Sequence, residues 1–283
     1  MRWRGGERSG NIDDRRGLGP VGAVGGLGLG GVVIVLIVAF VFGEDPRVIL
    51  DQVAQAPVGE SRAVAGKAGS PEDEAGGFVD VVETSTSRVW TDLFARAGQR
   101  YAPPEDVVLY DTATPTACGQ GQAAMGPFYC PGDAKVYLDL AFWDELESRF
   151  GAKGEFARAY VLAHEVGHHV QNLTGALGDG RQGVGAGGGQ VRVELQADCY
   201  AGVWAAHAAR LSGGQVALDP GDLEDGLGAA AAVGDDTIQR RTRGRVVPDA
   251  FTHGTAEQRM RWFRRGYETG DPDQCDTFRA RSL

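Results

Sequence analysis

Three of the chain's five histidines fall within six positions, in the run His164-Glu165-Val166-Gly167-His168-His169. His164 and His168 are four apart, so on an α-helix they stand one above the other on one face. Two neutral imidazoles presented that way fill two tetrahedral corners of a single Zn²⁺. Glu165 sits one step round the helix, where a carboxylate reaches a water on the metal without ligating it. Downstream, Glu194-Leu195-Gln196-Ala197-Asp198 repeats the four-residue spacing with two acids. A catalytic zinc site takes three protein ligands and keeps one corner for water. Glu194 is therefore read as the third ligand, and Asp198 as the carboxylate that fixes a ligating histidine's tautomer. The bland alternative, a surface helix with satisfied histidines, is weakened by this second motif. The chemistry expected is zinc-assisted hydrolysis, with Glu165 taking the proton from the attacking water.

Such chemistry also needs an oxyanion donor besides the metal. His253, followed by Gly254, is the first candidate and Tyr200 the second. His169 faces elsewhere on the helix and is read as a core residue or a prop behind the ligands. His207 is read as structural, and Asp139 and Glu145 as solvated charges rather than cleft acids. The alternating strand from Lys135 to Leu140 is expected to line the cleft and to pair with an extended substrate by edge addition.

These groups must be positioned by helices. The motif helix is predicted from Glu155 to Leu173, with Phe156, Tyr160, Val161, Ala163, Val166 and Val170 on its buried side and Gly175 as its stop. A second metal helix is predicted from Val191 to Leu211. Others are expected over Ser87 to Arg100, over Phe142 to Phe150, and opening at Asp219-Pro220. A last one opens at Thr255, where Thr255-Ala256-Glu257-Gln258 reads as a capping box. Val107 to Tyr110 reads as a short strand. The glycine-dense run Gly178 to Gly189 reads either as a mobile lid at the site's edge or as a tolerated disordered insertion.

A net charge of −10 argues against nucleic acid as a partner. Val21 to Gly43 is an uncharged run of 23 residues, long enough to cross a bilayer. Arginines precede it and Glu44-Asp45 follow, so the N-terminal side is expected in the cytoplasm and the rest outside. The rival, a cleaved signal peptide, lacks a small-x-small site after the apolar run. Gly22, Gly26 and Gly30 recur every four residues, a spacing that lets two anchors pack as a homodimer; the plainer reading is a glycine-rich span. Four cysteines admit three pairings. Cys118 and Cys130 flank a glycine-rich loop that a bridge would close, which leaves Cys199 for Cys275, with the other pairings still open.

The chain resembles the putative neutral zinc metallopeptidase family of bacteria over nearly its whole length. The resemblance is carried by Met1-Arg2-Trp3 with Asn11 to Arg16, Phe128 to Pro131, Lys135 to Leu140, His164 to His169, Glu194 to Cys199, Phe251 to Gly254 and Arg261 to Tyr267. It implies a membrane-anchored, zincin-like peptidase. One zinc-protease pattern adds a glycine and a third histidine three and six residues after the second histidine. Those positions here are Gln171 and Thr174, which excludes that class and leaves the glutamate-ligand one.

The expectation is an α+β, mainly helical zincin-like domain with a small sheet over 81–283. Before it come a cytoplasmic tail (1–20), a transmembrane helix (21–43) and a flexible linker (44–80). Its expected function is zinc-dependent hydrolysis of peptide or protein substrates outside the cytoplasm. The alternatives are an extracytoplasmic zinc-containing scaffold without proteolysis, and a zinc amidase acting on cell-wall peptide.

Overall fold

The computed structural model describes residues 1–18, 65–149, 151–181 and 183–283. The expected membrane span 21–43, with its glycine repeat, lies outside the described residues. Among the described residues, no helix is long and apolar enough to cross a membrane.

The architecture is α+β. A five-stranded mixed sheet has the order β2-β1-β3-β7-β6, where β1 is Ile12–Asp14, β2 Lys67–Ala68, β3 Val107–Tyr110, β6 Phe128–Cys130 and β7 Lys135–Asp139. Strands β1, β3 and β7 run parallel, and β2 and β6 pair antiparallel at the two edges. A separate hairpin joins β4 (Ala113–Thr116) to β5 (Gly119–Gln122). All four residues of β3 are buried, which explains its unbroken apolar run: a central strand covered on both faces has no polar side.

Seven helices stand among the described residues: α1 (Glu74–Arg96), α2 (Phe142–Ser148), α3 (Glu155–Thr174), α4 (Gly189–Leu211), α5 (Asp222–Ala232), α6 (Asp235–Arg243) and α7 (Ala256–Thr269). Helices α3, α4 and α7 pack together into the core that carries the histidine motif. Gly175 ends α3 in the left-handed conformation, and the expected capping box opens α7 with both of its hydrogen bonds made. Helices α4 and α7 touch through glycines. A Cβ on Gly202 would lie 2.1 Å from the Phe263 carbonyl, and one on Gly266 would lie 1.9 Å from the Cys199 carbonyl. The two helices therefore approach backbone to backbone. The short α6 escaped the sequence reading because its face is almost wholly polar.

Several expectations need correction. Residues 1–18 are not a tail. Trp3 and Ile12 are 3% and 1% exposed in the main core, and β1 sits between β2 and β3. The linker reading of 44–80 fails from residue 65 on, where β2 and the first turns of α1 lie. Gly76 and Gly77, within the expected linker, are buried in the first turn of α1, because Pro71 and the Arg8 guanidinium pack where a side chain would go. Two acids of α1 are partners of the N-terminal segment. Asp80 accepts hydrogen bonds from the Ser9 and Gly10 amides, and Glu83 accepts one from the Ser9 hydroxyl. Strand β1 hydrogen-bonds to β3, so residues 1–18 belong to the same folded unit as the domain after residue 65.

The glycine-dense loop is docked rather than free. After a 3₁₀ turn at Ala176–Arg181, the Gly185 and Ala186 amides donate to the carbonyls of Phe251 (2.8 Å) and Pro248 (3.0 Å). Both expected disulfides are formed. Cys118–Cys130 ties the β4–β5 hairpin to edge strand β6, and Cys199–Cys275 ties α4 to the C-terminal segment.

Candidate metal centre

Helix α3 buries the face opposite solvent through Phe156, Tyr160, Ala163 and Val166, and that orientation turns His164 and His168 toward α4. Gly167 sets the distance between the two helices: a Cβ there would meet the Ala197 backbone at 3.1 Å. Across this contact three donor atoms converge. The Nε2 atoms of His164 and His168 lie 3.1 Å apart, Glu194 Oε2 is 3.2 Å from His164 Nε2, and Glu194 Oε1 is 3.6 Å from His168 Nε2. Ligands about 2.0–2.1 Å from a tetrahedral zinc stand about 3.3 Å from one another, so the spacing fits one ion. Among the described residues, this is the one group of three or more such side chains close enough to hold a metal.

The far sides of both imidazoles are occupied. His164 Nδ1 lies 2.8 Å from Asp198 Oδ1. Asp198 can only accept, so Nδ1 keeps its proton and Nε2 is the nitrogen turned toward the cluster, free to ligate once any proton on it is lost. His168 Nδ1 likewise donates to Gln171 Oε1 at 2.8 Å. The Gln171 amide is held in that sense because its nitrogen donates to the Val193 carbonyl and to Gln196 Oε1. Asp198 and Gln171 are both fully buried.

These contacts bias the charges. Burial opposes charge on His164, but Asp198 and the hydrogen bond to Glu194 outweigh it and lift its pKa to about 10. Burial lowers His168 to about 4. Burial alone would raise the two acids, yet the histidines hold Glu194 well below the usual carboxylate range, and Arg259 with His164 holds Asp198 at about 2. Glu165 differs: burial, with Glu194 nearby, pushes it up to about 7, and the positive charges of His164 and Arg259 only partly offset this. A carboxylate with a pKa near neutrality suits proton transfer.

A family model described as putative neutral zinc metallopeptidase matches residues 1–278. The chain belongs to this family. It is 44% identical to the uncharacterized protein YpfJ of Escherichia coli K12, over 98% of this chain and 99% of that one. It is 49% identical to the uncharacterized protein Rv2575 of Mycobacterium tuberculosis H37Rv, over 70% of this chain and 69% of that one. No solved structure matches.

The remaining expected residues fall unevenly around the centre. His253 is half-exposed on the loop before α7. That loop is fixed by Asp235, whose Oδ2 accepts the amides of Thr252, His253 and Gly254. The negative charges of Glu194 and Asp235 raise the pKa of His253. Tyr200, the other oxyanion candidate, packs edge-on against Trp90 in the core, so it is set aside. His169 is a tie, donating from Nε2 to the Ala102 carbonyl and accepting at Nδ1 from the Tyr129 hydroxyl. His207 bonds the Gly270 carbonyl, the structural role expected. Asp139 is buried rather than solvated and accepts the Thr112 and Ala141 amides. The strand 135–140 is interior, flanked by β3 and β6; the edge beside Glu165 is β6. Sequence reasoning missed Tyr160, Gln171 and Arg259. Gln171 was in principle visible, since it lies three residues after His168 on the same helical face.

Proposed function

We propose that this chain is a zinc-dependent peptidase of the glutamate-ligand, zincin-like type, with His164, His168 and Glu194 as the metal ligands. Bound there, zinc would polarise a peptide carbonyl and acidify a water. The chain's own residues supply the rest. Glu165 takes the proton of the attacking water and returns it to the leaving amine, a shuttle its elevated pKa favours. His253, braced by Asp235, offers its ring N–H to the oxygen that gains charge. Edge strand β6 presents backbone beside Glu165, so an extended peptide adds to the sheet there, not at β7. The two disulfides support a working place outside the reducing cytoplasm.

The observation that carries this reading is the convergence of two imidazole Nε2 atoms and one carboxylate at tetrahedral spacing, with Glu165 beside them and not among them. Digestion of a peptide library by the purified full chain, with and without a chelator, tests it. Cleavage that a chelator abolishes and zinc restores is expected. A zinc-loaded protein that cuts no peptide in the library would contradict the peptidase reading, and cleavage confined to cell-wall peptide would redirect it to an amidase.

A further inference from the structure

Arg259 stands on α7, a helix that contributes no ligand atom, and is 3% exposed. Its Nε donates to Asp198 Oδ2 and its Nη2 to Asp198 Oδ1, both at 2.8 Å. Nη2 also reaches the Tyr160 hydroxyl at 3.2 Å, and Nη1 the Val233 carbonyl at 3.4 Å. A planar fork of this kind fixes both oxygens of a carboxylate, which a single-point ammonium cannot do. The oxygen so fixed, Oδ1, is the one that receives the His164 Nδ1 proton, and the Tyr160 hydroxyl donates to it as well at 2.5 Å.

Asp198 is wholly buried, and a buried carboxylate without a partner is unstable in its charged form. Its partners are the metal ligand His164, Arg259, and the Tyr160 hydroxyl that Arg259 itself binds. We infer that Arg259 is a positioning residue for the metal: by clamping the Asp198 carboxylate, with its Nη2 also 3.4 Å from His164 Nδ1, it sets the tautomer and ring plane of His164, and so the zinc affinity of a site to which it gives no ligand. This rests on the metal reading above and adds a residue from a third helix to it.

Position and charge pull in opposite directions here, which makes the inference testable. Removing a positive charge beside a cation would by itself tighten zinc binding, whereas unclamping Asp198 weakens it. R259K keeps the charge and loses the fork. In a chelator-competition titration of the full chain, R259K is expected to bind zinc about 10–100-fold more weakly. Its cobalt-substituted form is expected to show an altered visible absorption band. In a D198N background, adding R259K should change zinc affinity by no more than about twofold, because the route to His164 is already cut. R261K, at an exposed position on the same helix, is the control and should stay near wild type. R259Q replaces R259K if the lysine variant does not fold. A folded R259K or R259Q with wild-type or tighter zinc affinity overturns the inference, as do effects of R259K and D198N that multiply. Wild-type protein that binds no zinc would instead overturn the metal reading.

Discussion

Glu165 is the residue whose removal should separate binding from chemistry. It is not one of the converging donors, yet burial places its pKa at about 7. E165Q is expected to keep zinc and to lose peptide cleavage by about 10²–10⁴-fold, the range for a general base. Metal analysis and turnover on the same sample check this; loss of zinc together with activity would show that Glu165 is a ligand. A second expectation concerns His164. Its metal-free pKa is raised to about 10, so at neutral pH its imidazole is protonated, while His168, lowered to about 4, is already neutral. Zinc must displace the His164 proton, so affinity should rise with pH up to about 10, close to tenfold per unit. Titration calorimetry at pH 7 in buffers of different ionisation enthalpy should find about one proton released per zinc; none released would contradict the assigned charge state.

Helices α3 and α4 were legible in the sequence because helical periodicity turns a four-residue spacing directly into a shared face. The choice of Asp198 as the carboxylate behind a ligating histidine followed from the same regularity; the structure makes that histidine His164. What joins the helices was not legible. Arg259 and Tyr160 reach Asp198 across the core, and no local pattern marks a contact between residues 61 or 38 apart. The glycine contact of α4 with α7 was equally hidden, since neither Gly202 nor Gly266 stands in a turn. G266A should force a side chain into the Cys199 carbonyl and cost about 1–3 kcal/mol or more of stability. Thermal unfolding of folded wild type and variant would show it, and an unchanged midpoint would mean the helices can move apart. The Cys199–Cys275 bridge spans 76 residues, so C275S should cost about 4 kcal/mol on a chain-entropy account, read from denaturant unfolding.

The domain's beginning was the part of the molecule most misread. Strand β1 is three residues long, and an apolar stretch separates it from the rest of the sheet in sequence. A hydropathy reading takes such a stretch as a topological boundary, whereas the sheet pairs across it. A return crossing within 44–64 would carry Glu44, Asp45, Arg47, Asp51, Glu60 and Arg62 through lipid, at about 2.5–3.5 kcal/mol for each charge near the centre. Because β1 pairs with β3 and a return crossing is costly, the two flanks are predicted to share one compartment, with 21–43 not crossing. All four native cysteines are in disulfides, so single cysteines at exposed Gly5 and Glu268 can be labelled cleanly with a membrane-impermeant maleimide in intact cells. The two should react together or be protected together; opposite behaviour would break the β1–β3 pairing as a description of the protein in the cell.

The central claim is that two imidazoles and one carboxylate hold one zinc and leave a corner for water. X-ray absorption at the zinc edge of the fully loaded chain addresses it directly. The account predicts one zinc per chain, four nitrogen or oxygen ligands at about 2.0–2.1 Å, and outer scattering from two imidazoles. Three imidazoles, any sulfur ligand, or an unchanged spectrum in H168A would contradict it.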